Sequence, residues 1–168
     1  MKSIKMMSFL LIILGSISCS KSDTIIGLNQ DIHHDDFAYR VTSFEKRKHI
    51  NADTGLITAK GIFLIVSFTV ENNALRVSHA WDNTIGYVVS GDGNKYENNI
   101  TAQQMLKTSE PFHWLHHYNT RHGESESTRL VFDIPTDMTN PYLRVRGETL
   151  MGDIFDFNRF KRIKIRLY

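Results

Sequence analysis

Gly61-Ile62-Phe63-Leu64-Ile65-Val66-Ser67-Phe68-Thr69-Val70-Glu71 is the stretch whose reading decides the fold. Successive side chains of a strand point to opposite faces, so Ile62, Leu64, Val66, Phe68 and Val70 share one face. Phe63 and Ile65 followed by Ser67 and Thr69 make the other face apolar at one end and polar at the other. The pattern predicts a central strand with one face wholly in the core and the other partly covered.

The same period of two recurs outward from it. Thr128, Leu130, Phe132 and Ile134 alternate with Arg129, Val131 and Asp133 until Pro135, which has no N–H to give to a ladder. Leu143 and Val145 alternate with Arg144 and Arg146, and Ile163, Ile165 and Leu167 with Arg162, Lys164 and Arg166, predicting two half-exposed strands with basic outer faces. Phe37, Tyr39 and Val41 make an earlier strand. Ile85, Tyr87 and Val89 run into Gly91-Asp92-Gly93-Asn94, whose glycines can take the positive φ of a hairpin turn. Only Ile100 to Lys107 reads as a helix, with Thr101 as its cap and Met105 and Leu106 as its apolar contacts. Six or more short strands with turns between them predict an all-β antiparallel β-sandwich with one short helix in a connecting loop.

The order of turns carries a resemblance. A glycine-led strand ending in Val70-Glu71-Asn72-Asn73, the hairpin Gly91-Asp92-Gly93-Asn94-Lys95-Tyr96, the turn Gly123-Glu124-Ser125 and the strand Leu130-Val131-Phe132-Asp133-Ile134-Pro135 follow one another. Together they resemble the telokin-like, immunoglobulin-like domains of bacterial lipoproteins and secreted proteins, a family of unknown function. The resemblance runs from about Ile25 to about Arg146 and implies an immunoglobulin-like sandwich. It departs from the family at His122, where a proline often precedes the glycine. It implies a fold and no site.

The N-terminus reads as an export signal: Lys2 and Lys5, the apolar run Met6 to Leu14, then Gly15, Ser16 and Ser18 before Cys19. The run is shorter than the roughly 18 to 20 apolar residues that span a bilayer. Gly15-Ser16-Ile17-Ser18-Cys19 resembles a bacterial lipobox, with Ser16 where leucine is usual; the resemblance implies acylation of Cys19 after cleavage. Cys19 is the only cysteine, so an internal disulfide is excluded. Ser20 rather than Asp follows it, which resembles an outer-membrane sorting signal in a cell with two membranes. The expected organisation is a signal peptide over 1–18, a lipidated tether over 19–25 and one sandwich domain over 26–168. Lys2 and Lys5 leave with the signal, so the mature part carries 18 basic and 18 acidic residues and no net charge. That balance argues against a nucleic-acid partner, which requires a basic surplus.

Candidate chemistry concentrates in His113-Trp114-Leu115-His116-His117-Tyr118-Asn119-Thr120-Arg121-His122. On a helix His113 shares a face with His116 and His117, a spacing that suits zinc, copper or nickel. The competing reading is a loop in which Trp114, Leu115 and Tyr118 cover the end of the sandwich while His113, His116, His117 and His122 face solvent. His33-His34-Asp35-Asp36 is a weaker ligand set, placed where a turn enters the Phe37 strand. There is no Gly-x-Ser-x-Gly elbow and no phosphate-cradling glycine loop, and Gly91 to Asn94 lacks the acids of a calcium loop. Asp153 and Asp156 are a carboxylate pair with no readable geometry. The remaining signal is the basic set Arg144, Arg146, Arg162, Lys164 and Arg166, extended by Arg159 and Lys161. It is either a salt-bridged outer face or a docking surface for an acidic partner such as anionic lipid, glycan or protein. The expectation is a lipid-anchored, non-enzymatic binding or scaffolding module of the cell envelope with no cofactor and with the membrane as its first partner. The alternative is a metal-binding envelope lipoprotein using the histidine segment.

Overall fold

The computed structural model describes residues 22–146 and 162–168. The signal, Cys19, and Asp153, Asp156, Arg159 and Lys161 therefore lie outside the described residues. Eleven described strands and one helix follow in the order β1 (Thr24–Ile26), β2 (Ile32–His34), β3 (Phe37–Ala52), β4 (Gly55–Asn72), β5 (His79–Asp82), β6 (Gly86–Val89), β7 (Lys95–Tyr96), α1 (Ile100–Ser109), β8 (His117–Thr120), β9 (Ser125–Ile134), β10 (Tyr142–Val145) and β11 (Ile163–Arg166). They form a five-stranded sheet β1-β11-β10-β6-β7, a four-stranded sheet β2-β3-β4-β9 and a ribbon β5-β8.

Alternation in β4 places the layers. Leu64, Val66, Phe68 and Val70 are fully buried between the sheets with Tyr39, Val41, Leu130, Phe132 and Ile134, and meet Val88, Leu143, Val145 and Ile165 of the five-stranded sheet. Such two-sheet burial is what an all-β chain of this length needs for a core. On the opposite face Phe63 and Ile65 join Val131, Ile50 and Ala59 beneath Ala102 and Leu106 of α1. The partly covered second face of β4 is thus closed by the helix, giving a third layer.

Several sequence expectations are corrected. Strand Gly61 to Glu71 is the C-terminal part of the 18-residue β4, and the Phe37 strand continues to Ala52 through the polar stretch Thr42 to His49. Register shifts between Val41 and Ser43 and between Arg47 and His49 interrupt that alternation, and bulges of this kind also increase twist. The helix is capped by Asn99, whose Oδ1 accepts from the Ala102 N–H at 3.0 Å, and Thr101 lies inside it. In β6 it is Val88 that enters the core, while Tyr87 is half-buried on the outer face. Thr24 and Ile25, expected in the tether, belong to β1, which pairs parallel to β11. The sandwich is therefore not wholly antiparallel.

Gly61 is required by a close approach. A Cβ there would stand 2.0 Å from the Ile134 carbonyl oxygen. The Asp133 carboxylate accepts from the Lys60 and Gly61 N–H groups at 2.9 and 3.0 Å, fixing β4 against the end of β9.

Candidate functional site

The two basic strands are neighbours. β10 and β11 pair antiparallel with Tyr142 opposite Arg166 and Leu143 opposite Ile165, a register that sets Arg144 across from Lys164. Like charges so placed repel by a few tenths to about 1 kcal/mol. Asp23 resolves the conflict: its Oδ2 lies 2.9 Å from Arg144 Nη2 and 2.5 Å from Lys164 Nζ. Burial pushes the Asp23 carboxyl up, and the hydrogen bond from Lys164 with the charges of Arg144 and Lys164 more than offsets this, so it sits below the ordinary carboxylate value. Arg146 donates to both Glu97 oxygens at 2.5 and 2.7 Å and to the Thr84 carbonyl at 2.8 Å.

Tyrosines alternate with these cations on the outer side of the sheet. Arg146 and Lys95 lie 4.7 and 5.2 Å from the Tyr87 ring centre, Lys164 lies 5.5 Å from Tyr142, and Arg166 lies 5.4 Å from Tyr168. The Tyr142 and Tyr168 hydroxyls are hydrogen-bonded at 2.9 Å. Among the described residues this side carries Lys95, Arg144, Arg146, Lys164 and Arg166, with Arg162 half-buried just before β11; Asp23 pairs with Arg144 and Lys164, and Glu97 with Arg146. Lys95 and Arg166 make no ion pair among the described residues and lie instead against the Tyr87 and Tyr168 rings. The face is thus salt-bridged in part, through Asp23 and Glu97.

The histidine segment takes the loop form. His113 and His116 precede β8 outside any helix or strand, and His117 begins β8, so the helical spacing is not realised. His113, His116, His117 and His122 are exposed, whereas Trp114 and Tyr118 are buried. His113 packs edge-on to Tyr118 at 6.0 Å and His116 against Trp114 at 4.7 Å, which turns the two imidazoles to different rings. Leu115, expected to cover the core, is exposed. His33 and His34 lie in β2 with His34 buried, and Asp35 takes φ 51° in the following turn. No group of three or more His, Cys, Asp or Glu side chains among the described residues stands where it could hold a metal ion together.

A hollow of about 340 Å³ adjoins the basic side, lined in part by His79, Trp81, Asp82, His117, Tyr118 and Arg146. Sequence reasoning passed over His79 and Trp81. Trp81 stacks on Tyr118 at 3.8 Å with a 5° interplanar angle and donates from Nε1 to Thr120 Oγ1 at 2.8 Å. His79 Nε2 lies 2.8 Å from the Tyr39 hydroxyl, and its ring stacks on Phe37 at 4.2 Å. Burial pushes the Tyr118 hydroxyl above its ordinary value while it accepts from the Leu115 N–H at 3.0 Å. The ribbon pairing of Trp81 with Tyr118 could have pointed to this floor, but β5 and β8 lie about forty residues apart in sequence and neither is long enough to show a period.

The other charged cluster is structural. Arg47 binds Glu110 at 2.5 Å and Glu45 at 2.9 Å, and Arg129 binds Glu110 at 2.8 Å and also Glu45, closing a ring of alternating charge. It ties the C-terminal end of α1 to β3 and β9.

These faces and layers define an all-β sandwich with one helix, in which the outer side of one sheet carries cations interleaved with tyrosines among the described residues. The chain belongs to the family described as Domain of unknown function (DUF4352), which it matches over residues 26–154. No curated protein matches it. Its fold is similar to that of the yjhA protein from Bacillus subtilis (14% identity, 84% of this chain and 98% of that one, TM-score 0.57). It is also similar to an uncharacterized β-sandwich protein from Clostridium difficile (11% identity, 88% and 96%, TM-score 0.52). A third similar fold is that of MPT63, a secreted protein from Mycobacterium tuberculosis (12% identity, 77% and 94%, TM-score 0.54).

Proposed function

We propose that the protein is a lipid-anchored, non-enzymatic binding module of the cell envelope, held by acyl chains on Cys19 and working through the basic, tyrosine-bearing side of its five-stranded sheet. The observation that carries this is the asymmetry of charge. The mature part is neutral overall, yet on this side Lys95 and Arg166 make no ion pair among the described residues and lie against tyrosine rings, beside Arg144, Arg146 and Lys164, which pair with Asp23 and Glu97. A single-sign face attracts a partner of opposite sign over several ångströms, and guanidinium and phenol groups supply hydrogen bonds once it arrives. The hollow beside Arg146 offers stacked rings whose polar atoms already have partners, a surface for contact rather than for bond-breaking.

Export is supported by the signal-like N-terminus and agrees with the description of one similar fold as a secreted protein. The lipobox-like Gly15 to Cys19 supports anchoring, the telokin-like order of turns supports kinship with domains of bacterial lipoproteins, and Ser20 supports the outer membrane in a cell with two membranes. Replacing the sole thiol tests the anchor. Cys19→Ser is expected to move the protein from the membrane pellet to the soluble envelope fraction and to stop processing at residue 19. A mutant that stays in the pellet after a high-salt wash overturns the assignment.

A further inference from the structure

We propose that the outer side of the five-stranded sheet lies flat on the anionic headgroups of the same bilayer that holds the acyl chains. The inference rests on the lipid-anchor reading and names the partner of its basic face.

Tether length comes first. Asp23 is fixed to the sheet by Arg144 and Lys164, so the free connection to Cys19 is four residue steps, a reach of at most about 14 Å even when fully extended. An acylated Cys19 sits at the headgroup level. That reach is an upper limit, so the basic side is free to settle within one Debye length of the membrane surface, about 8 Å at physiological salt, where an anionic leaflet attracts it. A partner elsewhere in the envelope would compete with charges already at this distance.

The chemistry of the side fits that location. Ile25, on the edge strand nearest the tether, is 45% exposed and lies beside Lys164 in register, so it shares the outer side. Tyr168 exposes its phenol ring next to Arg166, with the half-buried Tyr142 beside it, and amphipathic rings of this kind settle at the boundary between headgroups and acyl chains. An apolar edge, aromatic rings and the ammonium and guanidinium groups of Lys95 and Arg166, neither in an ion pair among the described residues, are the components of an interfacial surface. On the opposite sheet α1 covers part of the face, and Glu45, Arg47, Glu110 and Arg129 neutralise one another there.

The test uses the full-length chain purified from membranes, with the mass of its N-terminal peptide read first. It is reconstituted into vesicles of phosphatidylcholine alone or with about one-third phosphatidylglycerol, and its lysines are modified with a small amine reagent. Lys95 and Lys164 are expected to react at least about fivefold more slowly in the anionic vesicles, with Lys46 and Lys60 of the β3–β4 hairpin unchanged, and the protection should vanish at about 0.5 M salt. Equal rates in the two vesicles overturn the proposal. So does protection of Lys164 alone, which would mean an edge-on approach, or protection by a soluble anionic polysaccharide with none by phosphatidylglycerol. A peptide mass without acyl groups overturns the anchor reading instead. Headgroup binding is then read separately, by flotation of the unacylated full chain with anionic vesicles and its loss in the Lys95→Glu, Arg166→Glu double variant.

Discussion

Phe68 sits at 0% exposure between Tyr39 and Trp81, each ring 6.3 Å away. Phe68→Ala is expected to cost about 3 to 5 kcal/mol, from lost transfer energy and the cavity left behind, read by urea denaturation. A cost below about 1 kcal/mol would contradict its place in the core. Gly61→Ala is the reverse test, adding one carbon where the Ile134 carbonyl leaves 2.0 Å. Backbone must move, so a loss of about 1 to 3 kcal/mol is expected from the same measurement. Phe68 was legible because each strand residue declares its face through its neighbours two positions away. Gly61 was legible only as the head of a strand, since the oxygen that excludes its Cβ belongs to a residue 73 positions later. His79 and Trp81 were illegible for the same reason: their partners, Tyr39 and Thr120, are some forty residues distant.

At the level of elements, polar character hid the distal half of β3. Thr42 to His49 offers Glu45, Lys46, Arg47 and Lys48 in a row, which reads as a solvated loop, yet the segment is a strand in which Glu45 pairs with Arg129 and Arg47 with Glu110. Helix α1 was found from its apolar positions, but its cap was misplaced by two residues because asparagine and threonine are both good caps and only the Ala102 N–H distinguishes them. Asn99→Ala should therefore cost about 0.5 to 2 kcal/mol and Thr101→Ala less than about 0.5, compared by thermal unfolding. The charge ring gives this region a pH dependence. Hydrogen bonds from Arg47 and then Arg129 hold the Glu110 carboxyl below its ordinary value of 4.5, against the upward push of burial. A group whose folded pKa is depressed gives its full contribution above the unfolded value and loses it as pH falls through the folded one. The stability difference between the parent and Glu110→Gln should be constant above about pH 5.5 and shrink toward zero as pH falls below 4.5. A difference that grows on acidification would show that the carboxylate is not held by these arginines.

Across the whole molecule, the sequence announced a sandwich and two basic strands, and both are present. What it could not announce is that β10 and β11 lie side by side with Asp23 between them, because sheet order is set by contacts between segments with no local signature of each other. Asp23→Asn should remove the acid that separates Arg144 from Lys164. Hydrogen exchange of the β1 and β11 amides is expected to quicken while that of β4 stays as in the parent. Equal exchange at β1 and β11 in mutant and parent would show that the pair is held by backbone bonds alone. The parallel pairing of β1 with β11 also has a mechanical consequence. Because Thr24 lies beside Ile163 and Ile26 beside Ile165, a pull applied backward on Thr24 and forward on Arg166 slides the strands along their length, so the interstrand hydrogen bonds bear the load together rather than parting one after another. A domain tugged at its N-terminal side would thus yield in shear, the more resistant geometry, with its first strand acting as a clamp.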